Sequence, residues 1–183
     1  MRALRICLVI VMVIAIQTCL ETGPAMAQDA AGDSIVTIRI TQDASGRMVY
    51  FDPVGVWVAP GTTIRWVLER GYHSVTAYHP DNGNYELRIP EGATPFNSGM
   101  LLEPGVSTFE VTLDVSGVYD YFCIPHEAAG MVGRIIVGAP DGPGSNRFGY
   151  DSSQGWREVP VRAQAQFPEI DEIMAKKVVS VTP

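Results

Sequence analysis

Short segments rich in β-branched and aromatic residues recur through the middle of the chain, and turn residues separate them. Pairs such as Pro60-Gly61, Pro104-Gly105 and Ser116-Gly117 are typical of turns. No long amphipathic helical pattern interrupts residues 33–138, so the pattern predicts an antiparallel β-sandwich or barrel. The segments, several of which alternate apolar and polar residues, cover 34–40, 54–58, 62–68, 107–115, 119–124 and 134–137.

The stretch 69–104 lacks this alternation and contains two of the chain's 3 histidines. A loop of that length in a compact domain is usually functional or carries a small helix.

The composition changes again after residue 138, so we divide the exported chain into a domain at 28–138 and an extension at 139–183. The extension begins with a Pro- and Gly-rich linker and continues to a short predicted helix near 168–177. We expect the apolar stripe of this helix to pack on the sandwich or on a partner. The stripe consists of Ile170, Ile173 and Met174.

Residues 1–27 have the pattern of a secretory signal peptide. Arg2 and Arg5 precede an apolar run at 6–16, and a small-x-small cleavage pattern ends at Ala27. An uncleaved anchor is an alternative, but the apolar run is short for a membrane span. We therefore expect an exported protein, periplasmic or extracellular, with no transmembrane segment after cleavage.

Cleavage after Ala27 removes Cys7 and Cys19 and leaves Cys123 as the single cysteine. Lipidation of Cys19 is a further alternative, although the residues before it match such a site poorly. An exported protein with one cysteine forms no internal disulfide, so Cys123 must be buried or bound to something.

The chain is acidic, and this limits its partners. The formal net charge is −7, and it becomes −8 once Arg2, Arg5 and Glu21 are removed. This balance argues against nucleic-acid binding and favours a partner with a cationic surface. We expect the protein to be a monomer, and we expect the acidic residues Asp120 and Glu127 to be solvated.

Three potential metal ligands lie within nine residues of one another, namely Cys123, His126 and Met131. His73 can supply a second imidazole. Two imidazoles, one thiolate and a weak axial thioether form the ligand set of a blue-copper electron-transfer site. Met100 is the rival thioether, but it lies in a different segment from Cys123.

His79 is the only other histidine that could compete with His73 for such a site. If the chain between them is extended, they lie about 20 Å apart, so both would rarely reach one ion. We therefore predict that His79 is a surface or loop residue, and a second metal contact stays an alternative.

The segments Pro60–Thr76, Glu103–Tyr121 and Tyr119–Met131 (YDYFCIPHEAAGM) resemble the cupredoxins, in particular the plastocyanin/pseudoazurin-type small blue copper proteins. The resemblance covers residues 33–138. It implies a Greek-key β-sandwich with one mononuclear type 1 copper. The ligands that it implies are His73, Cys123, His126 and Met131.

The resemblance implies a one-electron carrier rather than an enzyme, with His126 as the ligand nearest the surface and a small apolar apron around it. The apron consists of Pro125, Ala128, Ala129, Gly130 and Met131. Two features depart from the family pattern: Ser74 stands where the plant-type proteins have Asn, and the extension at 139–183 has no counterpart in it.

Two other functions stay open at this point. One is a non-redox copper-binding module for delivery, storage or sensing, and the other is an accessory electron-entry subunit of a larger redox enzyme. A multicopper catalytic site within this chain needs more than its 3 histidines.

Overall fold

The computed structural model describes residues 34–182, so the expected signal peptide and Cys19 lie outside the described residues. Within that range, the strands and helices follow the chain in this order: β1 (Ile35–Gln42), β2 (Val49–Asp52), β3 (Gly55–Val58), β4 (Thr62–Leu68), β5 (Thr76–Ala77), β6 (Thr108–Leu113), β7 (Gly117–Phe122), β8 (Val132–Val137), α1 (Val161–Gln164), α2 (Ile170–Lys176) and β9 (Val178–Val179). No helix in this range is long and apolar enough to cross a membrane.

The strands form two sheets, with the orders β2-β1-β4-β6 and β5-β7-β8-β3-β9. This confirms the predicted β-sandwich with a short C-terminal helix. Each sheet is mixed rather than antiparallel throughout, because β1 pairs with β4 and β3 pairs with β8 in parallel. The sequence did not predict the parallel pairs, because alternation within a strand shows which residues face the core but not the direction of the neighbouring strand. Both parallel pairs join strands that are not consecutive in the chain.

The core between the sheets is built on the alternation that the sequence displays. In β4, Ile64, Trp66 and Leu68 are fully buried, while the residues between them are partly exposed. The ring of Trp66 packs against Phe96, Phe109 and Tyr121. Each such side chain contributes roughly 1.5–3 kcal/mol when it leaves water, so this cluster anchors the end of β7 that precedes Cys123.

Strands β7 and β8 are buried on both faces because the C-terminal extension covers the face that points away from the core. Ile173 of α2 packs with Val118 and Ile136, and β9 pairs with β3. The stripe of α2 therefore packs on the sandwich itself. The stretch expected to be a linker contains a 3-10 turn at Pro143–Ser145, whose Gly144 is buried against β7.

Two arginines join the extension to the second sheet. Both pair with the fully buried carboxylate of Asp120. The Nε of Arg88 donates to its Oδ2 and the Nε of Arg134 donates to its Oδ1, each at 2.7 Å. Arg88 also donates to the carbonyl of Gly144, and Arg134 donates to that of Pro168. The expectation that Asp120 is solvated is wrong, because the extension and these two guanidinium groups replace the water around it.

Candidate metal centre

The first candidate ligand, His73, is held by a short antiparallel bridge to Leu101 in the long loop after β4. The backbone N–H of His73 donates to the Leu101 carbonyl at 3.2 Å, and the reverse bond measures 2.8 Å. Its imidazole is fully buried. Gly71 has a φ of +76°, and a side chain there would meet the Nε2 atom of His73 at 2.7 Å. The loop thus fixes the direction of this imidazole.

The other three candidates lie on one tight loop between β7 and β8. Cys123 follows the last residue of β7, and a 3-10 helix at Ile124–Ala129 carries His126. Gly130 closes the turn with a φ of +91°. Two backbone hydrogen bonds bring Met131 back to the start of the loop. The Cys123 N–H donates to the Met131 carbonyl at 3.0 Å, and the Met131 N–H donates to the His126 backbone carbonyl at 3.1 Å.

Three donor atoms meet in an almost equilateral triangle. The Nδ1 atoms of His73 and His126 lie 3.1 Å apart, and the Sγ of Cys123 lies 3.5 Å and 3.4 Å from them. These edges place each atom about 1.9 Å from the centre of the triangle, close to the lengths of metal–nitrogen bonds in proteins. The triangle therefore has the size that a single metal ion requires.

The protonation states also suit a metal ion. Burial, and then the charge of His126, lower the pKa of His73 to about 4, and burial lowers the pKa of His126 as well. Both rings are therefore neutral at pH 7 and can offer lone pairs. Burial raises the pKa of the Cys123 thiol to about 11, so a bound cation must displace its proton.

Met131 is fully buried and packs in the same core cluster as Cys123. The rival thioether, Met100, is 43% exposed. Their positions favour Met131 as the fourth donor.

His79 does not join the triangle. Its Nδ1 accepts the backbone N–H of Asp81 at 3.1 Å and caps the 3-10 helix Pro80–Asn82. Within residues 34–182, the cluster of side chains suited to hold a metal consists of His73, Cys123 and His126.

Glu127 is buried beside the site, so the expectation that it is solvated is wrong. The hydroxyls of Tyr78 and Tyr85 each donate to one of its carboxylate oxygens at 2.9 Å. Burial, and then the charge of Glu127, raise the pKa of Tyr85 to about 12, which keeps this phenol a donor. Sequence inspection missed both tyrosines because they lie in the loop without alternation.

Tyr72 is a second neighbour of the site that the sequence did not reveal. Its ring is 57% exposed and lies 5.7 Å from the ring of His126 and 6.4 Å from that of His73. The only signal in the sequence was its place directly before His73.

Comparisons with known proteins agree with this geometry. The family model for copper binding proteins of the plastocyanin/azurin family matches residues 37–138. The chain is 34% identical to a plastocyanin from Scenedesmus fuscus over 105 residues, which are 56% of this chain and 98% of that protein. It is 38% identical to a halocyanin from Natronomonas pharaonis over 89 residues, which are 48% of this chain and 47% of that protein.

Among solved structures, a pseudoazurin from Sinorhizobium meliloti matches with a TM-score of 0.53 and 26% identity. The match covers 78% of this chain and 95% of that one. The soft thiolate and the two imidazoles fit copper, because these donors suit Cu(I) and Cu(II) between them.

Proposed function

The chain belongs to the plastocyanin/azurin family of copper-binding proteins, and on this premise we propose that it is an exported, monomeric one-electron carrier. In this proposal, one mononuclear copper is held by His73, Cys123, His126 and Met131. The observation that supports it most strongly is the triangle of two Nδ1 atoms and one Sγ atom with edges of 3.1, 3.4 and 3.5 Å.

The bound copper supplies a Cu(I)/Cu(II) couple, and the protein keeps the donor atoms in place in both states. Thiolate and thioether favour Cu(I), while imidazole accommodates both oxidation states. The Leu101 bridge holds His73, and the backbone bonds within the loop hold Cys123 and His126. A site held in this way needs little rearrangement when an electron arrives or leaves.

His126 is the ligand through which we propose that the electron enters and leaves the site, because its imidazole is only half-buried while His73 and Cys123 are fully buried. Exposed apolar residues lie around it. The ring of Tyr72 lies 5.7 Å from that of His126, and the antiparallel His73–Leu101 bridge places Leu102, which is 64% exposed, opposite Tyr72 in register. We call this surface the docking face, and it comprises Tyr72, Leu102, Ile124, Pro125, Ala128 and Ala129.

The docking face adds Tyr72, Leu102 and Ile124 to the apron implied by the resemblance and omits Gly130 and Met131. Met131 is fully buried, so it contributes its thioether to the interior rather than its surface to a partner. A small apolar face suits a transient redox complex, which must form and dissociate quickly.

The formal net charge of the proposed exported chain, which is −8 without Arg2, Arg5 and Glu21, favours a redox partner with a cationic surface. The rate of electron transfer to such a partner falls as salt is added, because salt screens the attraction between exposed charges.

An electron carrier keeps its copper during turnover, whereas a delivery module gives it up, and this difference provides the test. The exported chain is loaded with Cu(II), reduced with ascorbate in the presence of a Cu(I) chelator, and reoxidised with ferricyanide over repeated cycles. We expect the copper to stay with the protein. Transfer of the copper to the chelator in the first cycle would reject the carrier function and favour delivery or storage.

Histidine variants provide the matched control for the same experiment. The variant His73→Gln removes one imidazole from the triangle, and His79→Gln removes one from a helix cap. We expect the first to lose copper during the first cycle and the second to behave as the wild type does.

A further inference from the structure

The loop that carries His126 also contains a buried carboxylate, that of Glu127, which is hydrogen-bonded to residues outside the loop. Glu127 follows His126 directly, and its side chain binds two phenols. Tyr78 donates to Oε1 and Tyr85 donates to Oε2, both at 2.9 Å. Glu127 is only 7% exposed, so this pair of bonds replaces the water that a carboxylate otherwise binds.

The C-terminal extension holds one of these phenols in position. The guanidinium of Arg157 lies 4.1 Å from the centre of the Tyr85 ring. The backbone of Arg157 also pairs with the segment that carries Tyr85. The Arg157 N–H donates to the Asn84 backbone carbonyl at 2.7 Å, and the Arg157 carbonyl accepts the backbone N–H of Glu86 at 3.0 Å. Arg157, Tyr85 and Glu127 thus form a continuous chain of contacts from the extension to the loop.

The extension also packs directly on the loop and on the tyrosines. Helix α1 lies against the 3-10 helix that carries His126, and a side chain at Gly130 would meet Gln166 at 2.7 Å. Three residues of the extension pack in one cluster with the two tyrosines and with Phe122. These residues are Val159, Ala163 and Phe167.

Residues outside the ligand set orient metal ligands, and their loss typically weakens metal binding or activity roughly 10–100-fold. We propose that Glu127 is a positioning residue for His126, and that the C-terminal extension supports the copper-binding loop through Arg157, Tyr85 and Tyr78. The proposal rests on the ligand set given under the proposed function. It assigns a role in the copper site to the part of the chain that the family model does not cover.

The test is the rate at which Cu(II) leaves the full exported chain for excess EDTA, followed by the decay of the visible band. The variants are Glu127→Gln, Tyr85→Phe and Arg157→Ala. Tyr119→Phe is the matched control, because it also removes one hydrogen bond of a buried tyrosine. That bond is partly buried and lies at the opposite end of β7, where the Tyr119 hydroxyl donates to the Val115 carbonyl at 2.7 Å. The visible and EPR spectra of each variant are recorded before the chelator is added.

We expect Glu127→Gln and Tyr85→Phe to release copper about 10-fold faster than the wild type or more, with altered spectra. Arg157→Ala shows a smaller increase of the same kind, and Tyr119→Phe leaves the rate and the spectra unchanged. Release rates and spectra in the Glu127 and Tyr85 variants that match those of Tyr119→Phe would overturn the proposal.

Stability and copper binding are separated by the choice of variants. Arg157 is exposed, and Tyr85→Phe keeps its ring, so these two variants decide the question even if Glu127→Gln does not fold. Failure of the proposed function is recognised separately, because the wild type itself would then lack the intense thiolate-to-copper band.

Discussion

Ser74 contacts Cys123 and its loop at two points. Its backbone N–H donates to the Sγ of Cys123 at 3.3 Å, and its hydroxyl accepts the N–H of Ile124 at 2.7 Å. The residue that follows His73 therefore connects the two segments that supply the triangle. This serine is one of the two departures from the family pattern that the sequence displays.

The Ser74→Ala variant tests that connection. It keeps the N–H that faces Cys123 but leaves the Ile124 N–H without its acceptor, at a cost of about 1–3 kcal/mol of stability. We expect faster loss of Cu(II) to EDTA than in the wild type. Ser107→Ala is the control, because the Ser107 hydroxyl accepts the Glu103 N–H within its own turn. Equal release rates in the two variants would contradict the role of Ser74.

The docking face is tested by the electron self-exchange rate, measured by NMR in mixtures of oxidised and reduced protein. We expect Tyr72→Lys to lower this rate about 10-fold, because an ammonium group must lose water where two docking faces meet. Val115→Lys changes the net charge equally at the far end of β7, about 20 Å away, and should leave the rate nearly unchanged. Equal rates in both variants would place electron exchange elsewhere on the surface.

The buried carboxylate of Asp120 is predicted to be a major contributor to folding stability. Asp120→Asn leaves Arg88 and Arg134 without their full counter-charge, and breaking such a buried pair costs about 3–5 kcal/mol. The matched control is Glu110→Gln, which breaks the exposed pair with Arg65 and costs about 1 kcal/mol or less. Denaturant unfolding of the copper-free protein measures both. A loss below 1 kcal/mol for Asp120→Asn would contradict the prediction.

Ile173 is predicted to anchor helix α2 to the sandwich. It is fully buried against Val118 and Ile136, so Ile173→Ala should lower the free energy of unfolding by about 2–5 kcal/mol. Val161→Ala removes apolar atoms from a side chain that is 80% exposed, and the free energy should change by less than about 0.5 kcal/mol. Similar free energies for the two variants would show that α2 does not contribute to the stability of the domain.

The strands that line the core were predictable from two signals in the sequence. Apolar and polar residues alternate in strands with one buried face, such as β4, and enrichment in β-branched and aromatic residues marks strands buried on both faces, such as β7 and β8. Strands β5 and β9 have 2 residues each, which is too short for a period of two to be distinguished from chance, and β2, with 4 residues, was not among the predicted segments.

The triangle was predictable for a chemical reason, since a cysteine followed at short spacing by histidine and methionine matches the ligand set of a blue-copper site. The buried charges were not. The local sequence does not show whether the carboxylates of Asp120 and Glu127 contact water or other protein groups, because the groups that bind them come from distant segments. Arg88, Tyr78 and Tyr85 reach them only because the long loop and the C-terminal extension fold over β7.

The most direct test of the account is the visible absorption spectrum of the purified exported protein with Cu(II), before and after ascorbate, beside the Cys123→Ser variant. We expect an intense blue thiolate-to-copper band that bleaches on reduction, returns on reoxidation and is absent from Cys123→Ser. A colourless or weakly coloured Cu(II) complex, or a band that survives in Cys123→Ser, would contradict it.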